Sequence, residues 1–145
     1  MKTKTLKIKN YLIASLAQWL YNLPLSGEQS RQRTKFVELL WEQVRAIDQR
    51  RLEMVKSRAK LDTKGEPVIV EDEEGKKNFD IPEDERTKLE LLYEEMLNEE
   101  FEISFDGNKA KIETIKEIIL TTDFKFSGKT AELYQEWFDL FNDVD

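Results

Sequence analysis

From Glu28 to Lys64 the chain contains neither Gly nor Pro, and residues that favour helices prevail. Such a stretch predicts one long helix over residues 26–61, with Ser26 and Gln29 spaced as a capping box at its start. At 1.5 Å per residue that helix would measure about 54 Å. A compact globule of this size has a radius of gyration of only about 15 Å. Three outcomes would reconcile the two: a break near Asp48, an arm supported by another chain, or an antiparallel hairpin with a later helix.

On a helical wheel, Phe36, Leu40, Val44, Ile47, Met54 and Val55 form one apolar stripe. Arg33, Arg51 and Arg58 fall inside the same arc. An unpaired charge there would be costly, so each guanidinium is expected to meet a carboxylate. The Glu-rich helix expected to begin at Glu83 and run to about residue 99, with the residue after it, offers Glu90, Glu94, Glu95, Glu99 and Glu100. Arg33, Arg51 and Arg58, with Trp41, Glu94 and Glu95, are therefore the residues expected to make inter-helix or partner contacts.

The remaining elements follow from local pattern. Thr5–Asn10 alternates as a short strand. Residues 11–23 read as a core helix, apolar nearly all round and stopped by Pro24 and Gly27. The lysines before it imitate a signal peptide, but the run is short and broken by Ser15, Gln18 and Asn22, which favours a core helix. Residues 62–82 read as a hairpin or an acidic loop, with turns at Gly65 and Gly75. Pro82 opens the next helix, whose Leu89, Leu92, Tyr93, Met96 and Leu97 recur at helical spacing. Residues 101–112 read as strand and turn, with Lys109–Ile112 returning beside Phe101–Phe105. Ile112, Ile115, Ile118 and Ile119 mark a helix over 112–121. Phe124 and Phe126 alternate again, and Thr130 is placed to cap a last aromatic helix over 130–142.

A chain of 145 residues suits one core, so a single domain over 1–145 is expected. The expected class is α+β, mainly α: a long antiparallel helical hairpin, one or two small β-hairpins and an aromatic C-terminal helix. The chain has no Cys and no His. Disulfides, thiolate metal sites and Ser–His–Asp or Cys–His catalysis are thereby excluded. Any catalysis would fall to carboxylates with Mg²⁺, or to a depressed Lys. The carboxylate clusters lack the spacing of an EF-hand loop. Ser127-Gly128-Lys129-Thr130 imitates a phosphate loop, but Asp123 stands where the pattern needs Gly. No cofactor and no metal is expected.

Charge divides along the sequence. Residues 1–64 carry 14 Lys+Arg against 6 Asp+Glu, and residues 65–145 carry 9 against 24. The basic long helix could meet phosphate, yet the net charge of −7 opposes a polyanion. A protein partner fits better than nucleic acid.

The stretch Leu23-Pro24-Leu25-Ser26-Gly27-Glu28-Gln29-Ser30-Arg31 to Leu40 is followed by a Gly turn and Val68-Ile69-Val70. Then come a Glu-rich helix ending at Glu99-Glu100 and a closing Phe126-Ser127-Gly128 before an aromatic helix. This order resembles a family of small proteins of unknown function encoded by tailed bacteriophages and prophages of Gram-positive bacteria. The resemblance supplies no catalytic residues. It implies action in the cytoplasm of an infected bacterium or on the virion. The expectation is a non-enzymatic phage accessory protein that works by protein–protein contact, with itself (as a homodimer) or with a host or phage protein, and without a membrane. The alternatives are a carboxylate–Mg²⁺ phosphoesterase and a nucleic-acid binder using the basic helix.

Overall fold

The computed structural model describes residues 4–144. The elements run β1 (Thr5–Lys9), α1 (Asn10–Tyr21), α2 (Gly27–Arg58), β2 (Ile69–Glu71), β3 (Lys77–Phe79), α3 (Glu83–Asn98), β4 (Glu100–Ser104), α4 (Lys109–Thr121) and α5 (Gly128–Asn142). The class is α+β, mainly α, with two small antiparallel sheets. The chain forms two compact units. One comprises the residues up to Val44 and those from Glu99 onward, the other Arg45–Asn98. The unbroken α2 contributes its first part to one and its second part to the other.

The first unit holds a contiguous apolar core. α1 buries Leu12, Ile13, Leu16, Ala17 and Leu20 there, α2 adds Phe36, Val37 and Leu40, and α4 adds its four isoleucines. α5 closes it with Trp137 and Phe141. β1 and β4 pair antiparallel with Leu6 opposite Ile103 and Ile8 opposite Phe101. Those four side chains share one face, so the period-2 pattern puts Lys7 opposite Glu102 on the other face, 3.7 Å apart. The expected return strand at Lys109–Ile112 does not form. Its partner position is taken by β1, more than 90 residues earlier in the sequence, and α4 starts at Lys109, three residues before the expected 112. The helical isoleucine stripe decides the outcome, because the helix places all four of those side chains on one face and buries them.

Phe124 and Phe126 make no strand either. Residues 122–127 are irregular, and the two rings pack on Trp19, with centroids 6.2 and 5.6 Å away. Trp19 stacks on Trp137 at 5.5 Å, and Phe126 on Tyr134 at 4.3 Å. Aromatic packing thus fixes the segment where a ladder was expected. α5 begins at Gly128, so Thr130 lies inside the helix and does not cap it. Ser127 occupies the cap position without a side-chain cap bond.

In the second unit, residues 62–82 are a hairpin. β2 and β3 pair with Ile69 opposite Phe79. Two copies of one turn shape it. Asp62 Oδ1 accepts from the backbone N–H groups of Lys64 and Glu66, and Asp72 Oδ1 accepts from those of Glu74 and Lys76. Gly65 and Gly75 close the two turns at φ +80° and +81°, where a side chain would be strained. α2 ends at Arg58, short of the expected Leu61, because the chain leaves the helix to pair: Leu61 bridges Pro67, and Lys60 N–H donates to Asp80 O.

Candidate functional site

Arg33 is half-buried, and among the described residues it meets no carboxylate. Its Nη1 donates to the carbonyls of Leu20 (2.7 Å) and Leu23 (2.6 Å), and its Nη2 to Ser30 Oγ at 3.4 Å. Leu20 O lies in the last turn of α1, where it also accepts from Leu23 N–H, and Leu23 O lies just past the helix, in a region of carbonyls that favours a cation. The expectation of a carboxylate overlooked that acceptor. Tyr134 does the same for α4, its hydroxyl donating to Ile119 O at 2.6 Å. Trp41 packs half-buried against the core of the first unit.

Arg58 does find a carboxylate, but on Glu85: Nη1 to Oε2 is 2.8 Å. Lys88 stands 3.6 Å from the other carboxylate oxygen. The Arg58 hydrogen bond holds the Glu85 carboxyl below its ordinary 4.5, with Lys88 adding to the effect and burial opposing it. Arg51 lies over the Tyr93 ring, 5.4 Å from its centroid. Position 51 thus meets 93 and 58 meets 85, so this part of α2 and α3 run antiparallel. Glu94 and Glu95 are exposed and are not the arginines' partners. The six expected residues do not form one cluster: Arg33 and Trp41 belong to the first unit, and Arg51, Arg58, Glu94 and Glu95 to the second.

Burial in the second unit is thin. Its buried apolar residues are Ile47, Ala59 and Met96, none of them in the contiguous core, whereas Leu52, Leu61, Ile69, Val70 and Leu91 are 40–62% exposed. Two grooves flank α2 there. One, of about 260 Å³, has an apolar lining of Met54, Val55, Leu89 and the Tyr93 ring, with Arg51, Arg86 and Glu90 as its charged members. The other, of about 690 Å³, is lined by Leu52, Val55, Ile69, Phe79 and Ile81 with Asp48, Arg51 and Lys77. Asp48, Arg51, Leu52 and Val55 recur at i, i+3, i+4 and i+7, so α2 presents them on one stripe. The helical spacing was visible in the sequence. Glu85 was not singled out because three acids in a first turn are already explained by the helix dipole.

Elsewhere, Tyr11 donates its hydroxyl to Glu136 at 2.8 Å, and that carboxylate raises the phenol above its ordinary range. Among the described residues, no three acidic side chains converge as a metal site requires. No helix there is long and apolar enough to cross a membrane. The chain matches no protein-family model, no curated protein and no solved structure.

Proposed function

We propose that this chain acts by protein–protein contact, and that the contact face is the one formed in residues 45–98 by α2, α3 and the β2–β3 hairpin. The observation that carries the reading is the thin burial of this unit. A segment of this size needs most of its apolar surface covered to be stable, and here large aliphatic side chains line open grooves. A polyanion is a poorer occupant, because the unit carries 11 Lys+Arg against 15 Asp+Glu. The resemblance to phage-encoded proteins would place the contact in an infected bacterium, in its cytoplasm or on the virion.

In-cell photo-cross-linking tests the reading. A photoreactive side chain replaces Leu52 on the face, or Tyr21 in the first unit as an exposed control. In cells that naturally make the protein, Leu52 should give protein adducts that Val55→Asp abolishes, and Tyr21 should not. No adduct from Leu52 or from Ile69 would count against this face.

A further inference from the structure

We infer that the occupant of this face is a second copy of the chain, docked about a two-fold axis with α2 antiparallel to its copy; the inference rests on the reading that the face is a contact. A two-fold interface brings one patch against itself, so the patch must carry both halves of every complementary pair. This one does. Asp48 is exposed and makes no hydrogen bond or ion pair among the described residues. Arg51, one turn on, rests on the Tyr93 ring, and its N–H groups make no hydrogen bond or ion pair among the described residues. When two such helices cross antiparallel about an axis between these positions, each Asp48 meets the other copy's Arg51, and the pair forms twice.

The apolar parts are self-complementary as well. Leu52 and Val55 continue the stripe as a ridge, and the groove beside them is floored by Ile69, Phe79 and Ile81. Every copy therefore offers both a ridge and a groove. The charges lining the two grooves are three cations (Arg51, Lys77, Arg86) and two anions (Asp48, Glu90). Such a mixture selects neither a strongly acidic nor a strongly basic partner, and it matches a surface of its own composition.

Sedimentation equilibrium of the purified full chain tests the inference, from low micromolar to several hundred micromolar. The mass should rise from one chain to two. Asp48→Arg sets Arg against Arg at both contacts and should weaken dimerisation about ten-fold. Adding Arg51→Asp to that variant should restore it. Both side chains are exposed, so circular dichroism should show unchanged helix in each variant. A single-chain mass at the highest concentration, with helix intact, overturns the second copy. A doubled mass indifferent to the charge reversals overturns the two-fold register. Failure of the broader reading is distinct: a monomer whose Leu52 still cross-links to another protein keeps the contact face and loses only the copy. A monomer with no adduct loses both.

Discussion

Arg33 spends its charge on two carbonyl oxygens at the end of α1. Arg33→Ala would strip Leu23 O of its donor and leave Leu20 O with only the Leu23 N–H at 3.2 Å, a cost of about 1–3 kcal/mol. Arg33→Lys should recover only part of it, because an ammonium cannot reproduce the forked geometry. Urea midpoints of the three proteins check the order. Glu85 acts through pH. Its folded value lies below its unfolded one, so its contribution is complete above the unfolded value and fades as pH falls through the folded value. Glu85→Gln should therefore lower stability at neutral pH and flatten the wild-type loss below about pH 4.5, as followed by urea melts across that range. Trp137 is a third case. Its indole N–H is buried without an acceptor among the described residues. Trp137→Phe removes that orphan along with some packing and should cost less than about 2 kcal/mol, whereas Trp137→Ala should cost about 3–5 kcal/mol. Thermal melts of both variants separate the two. That arginines on the apolar stripe would be partnered was legible in the sequence. The kind of partner was not, because helix-end carbonyls are acceptors that no side-chain inventory displays.

α2 is continuous through Asp48, one of the places where a break could have shortened it. Asp48→Pro tests the continuity with little packing at stake, since the side chain is exposed. It removes an i→i−4 bond and clashes with the preceding turn, so it should cost about 3 kcal/mol or more and reduce ellipticity at 222 nm. Unchanged ellipticity would mean that the helix was already interrupted there. Elements governed by local pattern were legible. β1, α3 and the isoleucine helix follow from spacing, and the turns at Gly65 and Gly75 from turn chemistry, whereas the pattern over 62–82 allowed either a hairpin or an acidic loop. What the pattern could not supply was β4's partner. Phe101, Ile103 and Phe105 alternate, and Gly107 follows at once, so a nearby return strand looked natural. β1 wins because its alternation buries Leu6 and Ile8 against Ile103 and matches Lys7 to Glu102. A lone five-residue strand carries no label for a partner so far along the chain. The Phe124–Phe126 segment misled for a related reason: alternation of two rings serves an aromatic cluster as well as a ladder.

Charge at the scale of the whole molecule looks different in sequence and in space. The sequence splits into a basic and an acidic stretch near residue 64. The two compact units do not: the one holding both termini has 12 Lys+Arg against 15 Asp+Glu, and the 45–98 unit has 11 against 15. α2 carries its basic residues into both, and the acidic later elements answer them in each. The asymmetry between the units lies in burial. One has a contiguous core from five elements and α2, and the other covers three apolar residues while leaving five large ones open. Such a unit should open locally far more easily than its neighbour unless another protein covers it. Amide hydrogen exchange at low and at high protein concentration measures that directly. At low concentration, residues 47–58 and 83–97 should exchange much faster than the core of α1, α4 and α5. At high concentration, protection should rise in those two segments and leave the core unchanged. Equal protection in both units, indifferent to concentration, would contradict a unit that completes its core by contact.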